Sequence, residues 1–297
     1  MGETIINYSN VVTRGPVEDR LQPRYDPLRV FVGSKTPAGL YARQKWRYEA
    51  GTETWTRDFN GTVKALRAGQ SADGSWDNSE ITTIQRLFGL HLTVREPDDG
   101  VRRALDWLLS ADHVRHYLMM PHMAPDEMYD DVTNEIDRAV FHGLPFTGGC
   151  FGHVALCAGL FLTNCFGMGE EKKVVGLYDR VAGEIEERGG RWYNVDCTNN
   201  ALRAFVTHAK YAKSRATEMM VDHLGRCQLP SGTWRGRTPQ YLTFDALAHL
   251  SSASARRQCM AAVQGILKVQ HKDGSWGRTE KEWNTFLVVH ALHRLNS

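Results

Sequence analysis

The sequence predicts an all-α protein in which about five to six helical hairpins stack until they close a ring. Two observations carry this. The pattern Q-x-x-x-G-x-W occurs at residues 70–76 (QSADGSW), 228–234 (QLPSGTW) and 270–276 (QHKDGSW), and a copy with Glu in place of Gln spans 186–192 (EERGGRW). The last three copies start at residues 186, 228 and 270, 42 residues apart both times, and a fixed period of this size marks a repeat architecture. The second observation is the patterning around each turn: a more apolar run follows each Gly-x-Trp, and a half-polar run precedes the next one. Helices apolar nearly all round are buried and half-polar ones lie outside, so each unit is an inner and an outer helix.

Taken in order, residues 1–35 carry Pro16, Pro23 and Pro27 without helical period and are expected to form an extended arm, followed by a single domain over 36–297. Pro37 suits a first helical turn, and a second run from 56 to 68 stops at Gly69. The inner runs are expected at 81–94, 201–209, 241–250 and 286–295, with a long one over 146–166; 105–109 and 174–185 are expected to be outer. The 116 residues between the motif starts at 70 and 186 leave room for two or three degenerate hairpins. Residues 119–137 interrupt the rhythm with two prolines and an acid cluster. They are expected to form an inserted lid, whose Asp126, Glu127, Asp130 and Asp131 are also the residues that would hold a divalent ion for a diphosphate.

Composition excludes several classes. With 42% hydrophobic and 24% charged residues the chain is an ordinary globular one, and a net charge of +2 gives no footprint for nucleic acid. No run approaches the roughly 18 apolar residues of a membrane span. The N-terminal sequence lacks the blocks of a signal peptide, so the cytoplasm is expected. All six cysteines fall between residues 150 and 259 without a CxxC pair, and are expected to be reduced core thiols.

The QxxxGxW copies resemble the repeat motif of the terpenoid cyclases and protein prenyltransferases. That resemblance covers most of residues 36–297 and implies an α/α toroid, with Gln70, Gln228, Gln270 and their tryptophans as clamps. Within it, Asn194-Val195-Asp196-Cys197-Thr198 resembles the D-x-D-D-T acid motif of squalene-hopene and other class II terpene cyclases. Asp196 matches the middle aspartate, the group that protonates an alkene or epoxide in that family; Asn194 and Cys197 replace its flanking acids. An aspartate at a helix start is also an ordinary N-cap residue, so both roles stand open for Asp196. Laying Trp76 on Trp192 sets Glu80 opposite Asp196 and Thr82 opposite Thr198, which makes Glu80 a second candidate acid or base.

Cys150, His153 and Cys157 share one helix face at i, i+3 and i+7 and are a candidate Cys/His pair or metal site. Linalool dehydratase-isomerase, a single-domain toroid, is similar in using acid, His and Cys side chains inside its ring. The zinc set of the prenyltransferases is not matched, because Asp196 and Cys197 are adjacent and His249 and His290 fall well inside their runs. Tyr193, Tyr241, Phe244, Trp283 and Phe286 are candidates to line an apolar cavity with Asn194, Cys197 and Thr198, their π faces favouring a developing carbocation.

The resemblance thus implies proton-initiated cyclisation, isomerisation or hydration/dehydration of an apolar, isoprenoid-like small molecule, with no cofactor and no resident metal. Alternatives are a non-enzymatic toroid binding a peptide, lipid or protein, and a linalool-dehydratase-like or metal-dependent Cys/His enzyme. Class II cyclases close their site with a second helical domain. Here the missing wall is expected from the arm, the acidic insertion or a second copy of the chain.

Overall fold

Each QxxxGxW turn delivers the chain from an outer helix into an inner one. The structure, a computed structural model, describes residues 21–119, 151–235 and 238–297. The first 20 residues, Cys150 and residues 120–137 of the acidic insertion lie outside the described residues. Helices α1 (Pro37–Lys45), α3 (Glu80–Thr93), α6 (Phe151–Cys165), α8 (Val195–Phe205), α10 (Gln240–Ala248) and α12 (Lys281–Leu295) form the inner set. Outside them lie α2 (Glu53–Arg67), α4 (Asp99–Leu108), α5 (Ala111–Met119), α7 (Lys172–Glu187), α9 (Arg215–Cys227) and α11 (Ala253–Lys268). Each inner helix packs on the next, and α12 packs back on α1, so the ring closes. Among the described residues there is no strand, only isolated bridges between Gln70 and Trp76 and between Gln228 and Trp234. The fold is an all-α toroid.

The glutamines explain how one unit fixes the next. Gln70 Nε2 donates to the carbonyls of Gly74 (2.9 Å) and Gly100 (2.8 Å), the second at the start of α4. Gln228 Nε2 does the same with Gly232 and Gln258 (both 2.9 Å), reaching α11. Gln270 instead reaches the segment ahead of α1: its amide donates to Tyr25 O (2.9 Å) and accepts from Tyr25 N (2.9 Å). Residues 21–35 are accordingly laid across the last unit, with Phe31 fully buried. They are not wholly extended, because Asp26 Oδ1 accepts from Leu28 N and caps a 3-10 turn over Pro27–Phe31.

The motif glycine is needed for two reasons at once. Gly232 has φ +84°, and a Cβ there would lie 2.0 Å from Ala261 O on α11. Gly74 and Gly190 meet α4 and α9 in the same way. The tryptophans are buried, and their backbone amides are taken by the first turn of the inner helix: Trp76 N donates to Thr83 Oγ1 and Trp192 N to Thr198 Oγ1. This pairing corrects the repeat alignment by one residue, since Thr83 and not Thr82 is the counterpart of Thr198. Ser79 then matches Asn194 as N-cap, and Glu80 falls opposite Val195.

Replacing Gly232 by Ala is expected to destabilise the protein by at least the roughly 1–3 kcal/mol of a forced positive φ. Gly183→Ala, on an outer helix with open space around the new methyl, is expected to stabilise it by about 0.5–1 kcal/mol. Denaturant melts of the two variants check this; equal effects would refute the close-approach argument.

Candidate active site

The residues of α3, α6, α8 and α10 that line the lumen lie in, or just past, the C-terminal half of each helix, so these inner helices run the same way. They enclose, with Tyr41 of α1 and residues along the whole length of α12, a cavity of about 510 Å³, within the range of small-molecule sites. Its apolar wall is aromatic: Phe88 from α3, Phe161 from α6, and Trp283 and Phe286 from α12. Phe88 meets Trp283 edge-on at 5.6 Å, and Trp283 stacks on Phe286 at 5.2 Å.

Polar residues set into these apolar helices converge at the mouth. Asp245, on α10, is buried at 2% exposure. Its Oδ2 accepts from Arg203 Nη1 of α8 at 2.9 Å, and its Oδ1 lies 2.8 Å from His290 Nδ1 of α12. Arg203 Nη1 also donates to Leu242 O at 3.1 Å, tying α8 to α10. Burial raises the Asp245 pKa, but His290 and Arg203 outweigh it and hold the carboxyl well below the usual carboxylate range. A carboxylate only accepts, so His290 Nδ1 carries the hydrogen and Nε2 is the nitrogen available for proton transfer. The His249 ring stands 5.3 Å from that of His290; burial pushes it down to about 3, keeping it neutral. His91 is likewise brought down to about 4 by burial, with Arg95 adding to the effect.

Asp245, His249 and His290 each offer one ligand atom, and these lie within 4.8 Å of one another, a set able to hold zinc or iron(II) by geometry. The charges oppose it. Arg95, Arg203 and Arg294 line the same cavity with Asp245 as their single acid, so a divalent cation would add to an excess of positive charge.

The residues singled out from the sequence separate into groups. Trp283 and Phe286 line the cavity. Phe244 does not, being fully buried in the core of α10, and Tyr241 is half-buried at the start of that helix, its hydroxyl pKa raised by burial. Asp196 is half-buried in the first turn of α8, at the opposite end of the ring from the His290 mouth. Asn194 and Thr198 serve that helix start: Asn194 Oδ1 accepts from Cys197 N at 2.8 Å, and Thr198 Oγ1 donates to Asn194 O at 2.8 Å.

His153 is buried with its Nδ1 3.3 Å from Cys197 Sγ and packs against the rings of Trp192 (4.1 Å) and Tyr193 (4.4 Å). The His153–Cys197 contact runs between α6 and α8, with Cys197 in place of the Cys150 and Cys157 that the sequence set beside His153. Cys157 is a buried thiol pushed well above its ordinary value by burial. Glu80 joins a separate group with His113 Nε2, 4.0 Å away, and Tyr117, whose hydroxyl is pushed up by burial and by Glu80.

Comparison with solved structures bears on the fold. A protein from Actinoplanes matches over 92% of this chain and 90% of its own, at 17% identity and a TM-score of 0.51. The type II terpene cyclase MstE from Scytonema, as a variant in complex with its substrate geranylgeranyl dihydroxybenzoate, matches over 91% and 87%, at 14% identity and a TM-score of 0.54. The fold is terpene-cyclase-like. The MstE complex with merosterolic acid A, a product, matches over 90% and 86%, at 14% identity and a TM-score of 0.50. No protein-family model and no curated protein sequence matches the chain. Among the described residues no helix is long and apolar enough to cross a membrane.

Sequence reasoning passed over Asp245 and Arg203, and weighed His249 and His290 only as zinc ligands, setting them aside for lying well inside their runs. The signal was there: a charged residue inside an otherwise apolar inner run is costly unless it is paired or used.

The buried imidazoles make stability depend on pH. Between about pH 6.5 and 4 the unfolded chain binds a proton at His91 that the folded chain does not, so stability falls as pH drops through this window. His91→Leu is expected to flatten that fall by up to about 1.4 kcal/mol per pH unit. Melts of parent and variant across pH 4–7 measure it; a constant difference between the two would show that His91 titrates alike in both states.

Proposed function

We propose that this protein is an enzyme of terpene-cyclase type that moves a proton on an apolar, isoprenoid-like substrate held in the toroid lumen. The observation that carries the reading is the Asp245–His290 pair at the mouth of an aromatic-walled cavity. Asp245 fixes the His290 ring and keeps Nδ1–H pointed at itself, which leaves Nε2 to take or give a proton toward the lumen. The faces of Phe88, Phe161 and Phe286 favour positive charge developing on a substrate carbon more than they favour its neutral ground state.

The charge state of the site selects among reactions. A carboxyl group held ionised is a poor donor to an alkene, so Asp245 does not play the acid of a class II cyclisation. An imidazole beside a carboxylate suits isomerisation or hydration/dehydration, in which a proton is removed at one atom and returned at another. The reading rests on the terpene-cyclase-like fold together with this site, and Asp196, Glu80 and the His153–Cys197 pair at the other end stand outside the proposed chemistry.

Incubation with a panel of isoprenoid alcohols and alkenes, analysed by gas chromatography and mass spectrometry, tests this. His290→Ala is expected to lower turnover by 10²–10⁴-fold, on the order of a lost general acid or base, while Asp196→Ala leaves turnover within about threefold and costs at most the roughly 0.5–2 kcal/mol of a helix-start residue. The reverse pattern would move the chemistry to the α8 end.

A further inference from the structure

Three buried nitrogens near the cavity mouth have no hydrogen-bond partner among the described residues: Arg95 Nε, Arg203 Nε and His91 Nδ1. All three residues line the lumen. The guanidinium N–H groups only donate, and a buried donor without an acceptor costs about 1–3 kcal/mol. Whatever fills this end of the lumen therefore has to bring acceptors. Trp283 Nε1 is also unpartnered, but Trp283 precedes Arg294 by three turns of α12, about 16 Å of helix rise, and serves a deeper part of the cavity.

Charge points the same way. The one acid of the lining, Asp245, is taken up by Arg203 and His290. Arg95 is left with a long contact to Gln44 Oε1 (3.4 Å) and a guanidinium 4.5 Å over the Tyr41 ring. Arg294 is exposed at the rim. A second cavity of about 840 Å³ shares Tyr41, His249, His290 and Arg294 with the lumen and adds Lys45 and Arg256, with no Asp or Glu in its lining. The inner-helix C-termini gather here, and their dipoles account for cations at this end. They do not account for N–H groups with nothing to donate to.

We propose that this mouth is an anion subsite, in which Arg95 and Arg294, with Arg203 Nε, bind the carboxylate or phosphate head of an amphiphile whose tail lies against Phe88, Phe161 and Phe286. The proposal rests on the reading of the lumen as the substrate site and adds the chemistry of the substrate's head. Arg203 is already turned by Asp245, so its Nε edge is held in place; Arg95 is steadied by Tyr41. A head bound here sits beside His290, which places the reacting part of the chain just inside the mouth.

Calorimetric titration of the full chain with farnesoic acid, farnesyl diphosphate and farnesol, and with dodecanoate and dodecanol, tests the subsite. At least one anionic probe is expected to bind tenfold or more tighter than the alcohol of the same chain, about 1.4 kcal/mol, and the two acidic heads tell carboxylate from phosphate. That preference is expected to fall below about threefold, under 0.7 kcal/mol, in Arg95→Gln/Arg294→Gln. The single variant Arg294→Gln, at an exposed residue, guards against a folding defect and is expected to lose part of it.

Alcohols binding as tightly as acids, or an undiminished preference in the double variant, would overturn the subsite while leaving the isoprenoid reading intact. Arginine-dependent binding of dodecanoate with none of the farnesyl compounds would do the reverse. No binding of any probe would overturn both.

Discussion

A glutamine amide that bonds two carbonyls at once, one in its own turn and one in the next unit, is the contact on which the rest of this molecule depends. Gln70, Gln228 and Gln270 each join a turn to the following outer element, and for Gln270 that element is the segment ahead of α1, at Tyr25. The clamp brings backbone against backbone so closely that only glycine fits at Gly74, Gly190, Gly232 and Gly274. Helices α3, α6, α8 and α10 bring their C-terminal halves to one lumen, and its two mouths therefore differ. One mouth carries N-termini and their capping side chains, the other C-termini and cations.

This asymmetry separates two chemistries. At the N-terminal end the polar side chains are largely spent on local structure: Asn194 caps, Thr198 ties the turn, and His153 packs on Trp192 with its Nδ1 against Cys197 Sγ. At the C-terminal end, Asp245 is paired on both oxygens while the Nε–H donors of Arg95 and Arg203 and the Nδ1 of His91 stay unmet. A buried ion pair contributes little net stability against a well-packed apolar alternative. Asp245 and Arg203 are accordingly better explained by what they hold in place, the His290 ring and the edge of a guanidinium, than by the strength of the toroid. The aromatic wall between the two mouths then sets an apolar tail against a polar head.

Much of the fold was legible because its repeat is written in residues whose backbone demands are strict. Glycine at positive φ against a neighbouring backbone, glutamine bonding to fixed carbonyls and a buried tryptophan leave few substitutes, so the period survives in the letters. The phase within a unit was less legible: one extra residue before Thr83 moved Glu80 out of register with Asp196, and only the hydrogen bond from Trp76 N reveals it. The 3-10 turn at Pro27–Phe31 was missed for a similar reason, its cap being a single aspartate in a proline-rich stretch.

The sequence by itself determined a ring of helical hairpins, its inner and outer members, and the clamps between them, since these follow from local periodicity and from turns with few alternatives. Only the tertiary structure decided which polar residues meet. Arg203, Asp245 and His290 sit on three different helices, separated by 42 and 45 residues along the chain; the first separation is the repeat period and puts Arg203 and Asp245 at equivalent positions of successive inner helices, but that these side chains meet His290 at one lumen is a matter of the closed ring. Closure of the ring brings α1 beside α12 and sets Tyr41 and Arg95 at the same mouth as His290. Side-chain chemistry in a toroid is assembled across helices, whereas its scaffold is specified along them.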